Sequence, residues 1–196
     1  MLLLLTTFAG AAAGRAQHVS WDIIHFTPGT GTVTFSPGGV ASAQTQAPAS
    51  TFGPVQTITL TGHGTFVAPS SGRGSGAATG GGTWTITEGG TTVASGTYEV
   101  RDLVSWEFAN KQAGIPGTTI IDQTGDVDAR ANGTAVLRIE FSDGEWGILT
   151  VGCHGPGAPN HIFEGIATTK GYKTYYAVQN PAGGVDANRT IFHLQK

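Results

Sequence analysis

Four side chains that can bind a metal ion or transfer a proton lie close together in the sequence. Cys153, His154, His161 and Glu164 surround a segment rich in glycine and proline, which predicts a turn between them. Neutral imidazole and carboxylate are common ligands of zinc, copper and iron, and a turn can bring both of its flanks to one ion. Their spacing matches no established metal motif. The alternative is structural, with the two histidines on either side of a surface loop and Cys153 packed at a strand end.

Cys153 is the single cysteine of the chain, so no internal disulfide can form. A neighbouring histidine, His154 or His161, could lower the pKa of its thiol and make a nucleophilic thiolate. Adjacent residues on a strand point to opposite faces, however, so Cys153 and His154 are poorly placed for this unless the turn redirects one of them. An unpaired cysteine could also link two chains.

The remaining histidines of interest lie in strand-like segments. His63 lies between Gly62 and Gly64, where the bare backbone would allow a ligand or a second strand to approach closely. His63 is therefore either a further ligand candidate or a half-buried histidine of a strand. His25 and His193 alternate with apolar neighbours, and we hypothesise that they meet if the sheet closes into a barrel.

Alternating hydrophobic residues indicate that strands must position these groups. Residues 56–61 place Ile58 and Leu60 on one face and threonines on the other. Residues 134–151 predict a hairpin, because Asp143-Gly144 is a favoured two-residue turn. Centring the hairpin there pairs Phe141 with Trp146 and Ile139 with Ile148.

The chain as a whole predicts an all-β fold. About ten strands are separated by turns at the spacing of a sandwich or a barrel, and no segment has the pattern of a helix of any length. We therefore expect a single domain over residues 17–196, built as an antiparallel β-barrel or a two-layer β-sandwich. Residues 37–55 are predicted to be a long connection, and residues 68–82, rich in glycine and serine, a flexible loop.

Export is predicted from the amino-terminal segment. Residues 2–13 are mainly apolar and small residues precede a possible cleavage site after Ala16, so residues 1–16 are interpreted as a signal peptide of a secreted or periplasmic protein. The apolar segment is shorter than the roughly 20 residues of a membrane span, and we expect none. Two sequons, at Asn132 and Asn188, could be glycosylated in a eukaryotic host.

Composition narrows the possible partners. The chain has 196 residues, of which 31 are glycines and 12% are charged. Its net charge is −3, so it has no basic surplus of the kind that binds nucleic acid. A hydrophobic content of 39% is too high for a disordered chain. The expected partners are a small molecule, a glycan or a second copy of the chain.

Two functions follow from these observations. The leading prediction is a secreted β-domain that binds a ligand or takes part in an extracellular assembly, without catalysis and without a required cofactor. The alternative is a small metal-binding or hydrolytic β-barrel enzyme that uses His154, His161 and Glu164 with a transition metal, and His63 as a further candidate ligand.

Overall fold

The fold is all-β, as predicted. A computed structural model describes residues 16–69, 76–178 and 186–195, so the predicted signal peptide, apart from Ala16, lies outside the described residues. Its strands are β1 (Gln17–Gly29), β2 (Thr32–Pro37), β3 (Ala41–Gln44), β4 (Gln56–Leu60), β5 (His63–Ala68), β6 (Gly76–Glu88), β7 (Thr91–Lys111), β8 (Thr119–Asp122), β9 (Arg130–Phe141), β10 (Trp146–Cys153), β11 (Gly165–Lys170), β12 (Lys173–Ala177) and β13 (Arg189–Gln195).

Strand pairing closes the sheet on itself without making a regular barrel. Ten strands form a ring in the order β9, β13, β1, β5, β6, β4, β3, β12, β11 and β10, and β10 pairs again with β9. The long strand β7 pairs with both β6 and β9. β2 extends from β1, and β8 lies parallel to β2, whereas the other pairs are antiparallel. The predicted antiparallel architecture is therefore confirmed with one parallel addition.

The main hydrophobic core lies inside this ring because the strands alternate. On β4, Ile58 and Leu60 are fully buried, and on β6 Trp84 and Ile86 face them across the register. Burying each such side chain contributes about 1.5–3 kcal/mol to folding. The intervening threonines face outward, where Thr61 and Thr83 share a hydrogen bond of 2.8 Å between their hydroxyls.

A second, smaller core lies on the outer side of β1 and β13. Ile24 and Ile191 belong to this second core, whereas their chain neighbours Ile23 and Phe192 belong to the main core. Successive residues of a strand face opposite sides, so each strand contributes to both cores. β2 contributes Val33 and Phe35. Partly buried side chains complete it: Phe26, Ile115 and Ile120. β1 and β13 are therefore covered on both faces.

The predicted hairpin exists, but its predicted register was wrong by one residue. Trp146 pairs with Glu140 and not with Phe141. The amide of Gly144 donates to Phe141 O and the amide of Phe141 donates to Glu145 O, so the loop holds three residues and Gly144, at φ 87°, forms a bulge. A shift of one residue reverses the faces, which leaves Trp146 45% exposed.

Part of the predicted flexible loop is a strand. Residues 76–82 form the first half of β6, whereas residues 70–75 lie outside the described residues. Gly80 lies opposite Gly64 of β5, and a Cβ atom on Gly80 would lie 2.2 Å from the backbone oxygen of His63. The glycines of this segment therefore permit two backbones to approach closely within the sheet, and composition alone does not distinguish this role from that of a flexible loop.

Residues 37–55, predicted as a long connection, also contain ordered structure. β3 occupies part of this segment, and the four-residue helix α1 (Ala49–Phe52) follows it. Within the described ranges, no helix has the length and apolar character needed to cross a bilayer.

Candidate functional site

A pocket of about 430 Å³ opens beside the second core. We call it the β13 pocket. One wall is apolar and is supplied mainly by Ile24, Phe26, Phe35, Ile115 and Ile191. The second wall, which we call the polar wall, is formed by the end of β10 and the turn after it, from Cys153 to Ala158, and Glu164, Arg189 and Thr190 add polar groups. The cluster of chemically capable residues seen in the sequence therefore adjoins a real cavity.

The turn that forms the polar wall is held by buried amides. The Asn132 side chain is fully buried, and its Oδ1 accepts a hydrogen bond of 2.8 Å from the amide of Gly155. Its Nδ2 donates to Asn110 Oδ1 at 2.8 Å, and Asn110 Nδ2 donates to Gly157 O at 2.7 Å. These hydrogen bonds anchor the turn to β7 and β9 and so fix the shape of the polar wall.

The same contacts remove the predicted glycosylation sites from the surface of the folded protein. Asn132 is buried with its amide engaged, and Asn188 is 8% exposed, with its Oδ1 accepting from the amide of Ser42 at 2.6 Å. An oligosaccharide on either amide would have no room in this structure. Both asparagines are structural here.

Glu164 is the buried carboxylate of the pocket. It is 5% exposed and accepts hydrogen bonds from the backbone amides of His154 and Thr190, so it ties the end of β10 to the start of β13. Burial raises the pKa of Glu164 to about 7, and these hydrogen bonds together with the charge of Arg189 only partly oppose that rise. A carboxyl group of this kind exchanges its proton near neutral pH.

Cys153 is held as a neutral thiol. It is 1% exposed, its Sγ donates to Thr190 O at 3.2 Å, and Gln112 Nε2 donates to the sulfur at 3.2 Å. Burial, together with the negative charge of Glu164, raises the pKa of the thiol well above its usual value. In the folded structure the sulfur is buried and the thiol is held neutral, which argues against both a thiolate nucleophile and a link between chains.

The three predicted metal ligands are not brought together as a ligand set. His154 is half-buried with Nδ1 2.7 Å from Ile162 O, while His161 is exposed and adopts a positive φ of 75°. Both oxygens of Glu164 are engaged by backbone amides. In the part of the chain that the structure describes, no three histidine, cysteine, aspartate or glutamate side chains are arranged to hold a metal ion.

The other histidines lie outside the β13 pocket. His63 is exposed on β5, opposite Asp22 of β1, and does not line the pocket. His25 and His193 do not meet: His25 Nδ1 lies 2.9 Å from Asp186 Oδ2, whereas His193 is buried against a different carboxylate. His25 lies on the side of β1 that carries Ile23, whereas His193 lies on the side of β13 that carries Ile191, so the two rings are on opposite faces and are separated.

Sequence analysis missed the residues that β13 contributes. Arg189 lies with its guanidinium carbon 4.8 Å from the centre of the Phe26 ring, and Thr190 bonds the backbone of Gly152 through its hydroxyl at 2.6 Å. The available signal was the group of hydrogen-bonding residues 188–190 at the start of an alternating strand. We interpreted it only as a sequon.

Comparison with known proteins adds no functional information: no family model, no curated protein and no solved structure matches this chain. The assignment of the site therefore rests on its geometry.

Proposed function

We propose that this chain is an exported β-domain that binds a small, largely apolar molecule in the β13 pocket without changing it chemically. The observation that carries this proposal is a cavity of about 430 Å³ whose polar wall is already fixed by hydrogen bonds. Small-molecule sites usually have volumes of about 300–1,000 Å³, mainly apolar walls and a few polar groups that set orientation.

The walls indicate what kind of molecule fits. Phe26 and Phe35 contact each other with their ring centres 5.9 Å apart, and together they present an aromatic surface next to Ile24 and Ile191. Arg189 and Glu164 lie on the polar side. A ligand with a ring or a branched aliphatic body and one polar end would bury its body against the aromatic wall and hydrogen-bond at that end.

Export is the second part of the proposal and rests on sequence. Residues 2–13 have the apolar character of a secretory signal, and small residues precede Ala16. A low content of charged residues is compatible with an extracellular or periplasmic binding module. Detection of mature protein beginning at Gln17 in the culture medium or periplasm would support export, and retention of the intact amino terminus in the cytoplasm would contradict it.

Binding can be tested with N-phenyl-1-naphthylamine, a neutral apolar probe whose fluorescence increases in apolar sites. Ala158 lies on the turn and lines the pocket, so Ala158→Trp fills the cavity from a position outside the strands. We expect the probe to bind the wild type and to bind this variant at least about tenfold more weakly, a loss of about 1.4 kcal/mol. Ala109→Trp, on an exposed position of β7, is the matched control and should bind the probe like the wild type.

The outcomes of this titration separate the pocket from other apolar surfaces. Equal binding by wild type and Ala158→Trp would place the probe elsewhere and overturn the proposal. Loss of binding in both tryptophan variants would do the same, because Ala109 does not line the pocket.

A second candidate function, an acid–base enzyme working in the same pocket, is favoured by one observation. Glu164 lines the cavity, and burial raises its pKa to about 7, where a carboxyl group can both donate and accept a proton. The metal-dependent form of this candidate is tested by elemental analysis of the purified protein. Stoichiometric zinc, copper or iron that is lost in His154→Ala and His161→Ala would support it, and metal-free protein would contradict it.

A further inference from the structure

A second pocket, of about 240 Å³, lies at the other end of β13 and is independent of the β13 pocket. We call it the His193 pocket. Its lining comes from β1, β13 and the segment after β8, and includes Ser20, Thr124, Gly125, Asp126, Ala129 and His193. The two pockets share no lining residue.

His193 and Asp122 form a buried pair in this region. His193 is 2% exposed, and its Nε2 lies 2.9 Å from Asp122 Oδ2. The other carboxylate oxygen, Asp122 Oδ1, accepts bonds from the amide and the hydroxyl of Thr124 at 2.9 and 2.8 Å. Burial acts to raise the pKa of Asp122, but the hydrogen bonds from His193 and Thr124 outweigh it and the pKa is lowered.

This arrangement fixes which nitrogen of the imidazole carries the proton. The carboxylate of Asp122 is ionised and can only accept, so the neutral ring places its N–H on Nε2. The remaining lone pair is then on Nδ1. His193 Nδ1 is buried and has no hydrogen-bond partner among the described residues. A buried acceptor without a partner is costly and therefore uncommon.

Ser20 is the serine that the strand register places beside His193. It lies directly opposite His193 in the antiparallel pair of β1 and β13, and both side chains face outward, since Trp21 and Phe192 face the main core. Directly opposed side chains have Cβ atoms about 4.5–5.5 Å apart. A rotation about the Cα–Cβ bond of Ser20 can therefore bring its hydroxyl towards Nδ1, and Ser20 also lines the pocket.

We propose that Ser20, His193 and Asp122 form a hydrolytic site for small carboxylic esters in the His193 pocket. Ser20 is the nucleophile, His193 is the general base, and Asp122 is a positioning residue that acts through the histidine. The volume of about 240 Å³ limits the substrate to a short acyl group on a small alcohol.

The reaction balances without a cofactor. Ser20 Oγ forms a bond with the ester carbonyl carbon while its proton passes to His193 Nδ1. The bond from that carbon to the alcohol oxygen breaks, and the alcohol leaves with the proton from the imidazolium. Water then adds to the acyl-serine by the same route, which releases the carboxylic acid and restores the hydroxyl of Ser20.

Gly125 provides a way to disturb the histidine without touching the three residues. A Cβ atom on Gly125 would lie 2.7–2.8 Å from Cγ, Cδ2 and Nδ1 of His193, so Gly125→Ala must displace the ring. Gly114→Ala is the matched control, since a Cβ atom there meets nothing within 4 Å.

Covalent labelling by diisopropyl fluorophosphate, located by peptide mass spectrometry, tests the nucleophile in the full-length protein. We expect Ser20 to be the one labelled residue of the wild type and Ser20→Ala to form no adduct. The control is Ser36→Ala, which replaces a half-buried strand serine that does not line the pocket, and its labelling rate should equal that of the wild type. Gly125→Ala should slow labelling at least about tenfold, and Gly114→Ala should not. Absence of an adduct on wild-type Ser20, or labelling unaffected by Gly125→Ala, would overturn the proposal.

The role of Asp122 has a readout that a purely structural role would not change. Nitrogen chemical shifts of the His193 ring should show the proton on Nε2 in the wild type, and this preference should weaken in Asp122→Asn together with the labelling rate. A proton on Nδ1 in the wild type would leave no base facing Ser20 and would overturn the assignment. Because the pocket, the residues and the probe all differ from those of the β13 pocket, failure here leaves the ligand-binding proposal unaffected.

Discussion

The two ends of β10 each bury an ionisable side chain, and they compensate it in different ways. At the hairpin end, Lys170 is 4% exposed, and its ammonium group contacts the carboxylates of Asp143 and Glu145. At the other end, Glu164 is 5% exposed and is held mainly by neutral backbone amides. Lys170 contacts two carboxylates directly, whereas Glu164 accepts hydrogen bonds from two backbone amides and lies within the field of Arg189.

The difference separates an end of the ring that is closed by packing from an end that opens on a cavity. The Lys170 ammonium lies 4.6 Å from the centre of the Trp84 ring and 4.9 Å from that of Phe141, so it covers the aromatic side chains at this end of the main core. Glu164 lines a cavity, and burial raises its pKa to about 7. A paired charge stabilises a closure, while a buried carboxyl group that titrates near neutral pH supports the proposal that a ligand binds at the other end.

The largest expected effect comes from removing the aromatic layer beneath Lys170. Phe141 is 1% exposed and packs edge-on against Trp84, with ring centres 5.7 Å apart. Phe141→Ala should lower the free energy of unfolding by about 3–5 kcal/mol because it leaves a cavity in a closed core. Urea denaturation monitored by circular dichroism measures this loss.

Trp146→Ala is the control, and it also tests the hairpin register. In the observed register Trp146 is exposed and stacks on Arg138, with the guanidinium carbon 4.7 Å from its ring centre, so the loss should be below about 1 kcal/mol. Equal losses in the two variants would favour the predicted pairing of Phe141 with Trp146 and would contradict the structure.

This hairpin shows how far the sequence could predict the fold. Alternation identified both strands and the turn residues Asp143-Gly144, because side-chain period and glycine preference are local properties. The register depended on whether Gly144 ended a two-residue turn or formed a bulge, which is decided by hydrogen bonds between Phe141 and Glu145. Such a choice involves packing of the whole sheet and is not visible in a short pattern.

The candidate site was predictable to a lesser extent. Glu164 and Cys153 were identified by type and position, but their partners Gln112 and Thr190 come from two other segments of the chain. Pattern analysis does not reveal that β13 lies next to β9, because that pairing joins residues far apart in the chain. For the same reason the structure does not bring the three predicted metal ligands together, since closeness in sequence did not make His154 and His161 converge.

The pH dependence of stability distinguishes the two ends most directly. The pKa of Glu164 rises from an ordinary value of 4.5 to about 7 on folding, so the folded state holds this proton more tightly than the unfolded state. The contribution is fully present below pH 4.5 and is lost as the pH rises through 7. A difference of about 2.5 pKa units corresponds to a fall of about 3 kcal/mol in the free energy of unfolding.

Glu164→Gln provides the control for this prediction. Urea denaturation should show a smaller decrease in stability between pH 4.5 and 7 in the variant than in the wild type. Burial also raises the pKa of Asp22, to about 6, which adds a decline in the same direction in both proteins. The difference in the free energy of unfolding between wild type and Glu164→Gln, followed against pH, therefore isolates the contribution of Glu164. Identical pH dependence in the two proteins would contradict the raised pKa of Glu164.

Replacing Lys170 tests whether the hairpin end is closed by packing or by charge. Lys170→Ala removes both the methylene chain and the ammonium that cover Trp84 and Phe141, and should cost about 2 kcal/mol. Lys170→Met keeps the apolar stem and should recover most of this loss, since Asp143 and Glu145 are 43% and 46% exposed and can be hydrated when unpaired. Equal thermal destabilisation in both variants would mean that the charge, and not the packing, closes this end.

The smallest expected effect concerns the carboxylates themselves. In Asp143→Asn, Lys170 keeps its contact with Glu145, so the change in the free energy of unfolding should be about 0.5 kcal/mol and should shrink at high salt.

The contribution of Asp143 also depends on pH. Burial acts to raise the pKa of Asp143, but hydrogen bonds from Lys170 and from the Glu145 amide lower it overall. The contribution is therefore present above the ordinary pKa of 3.8 and disappears as the pH falls through the lowered pKa. The Glu164 contribution has the opposite sign of pH dependence. A double-mutant cycle between Asp143→Asn and Lys170→Met at pH 7 measures the coupling between the two side chains. A coupling above about 2 kcal/mol would contradict the small contribution expected from a carboxylate that is 43% exposed.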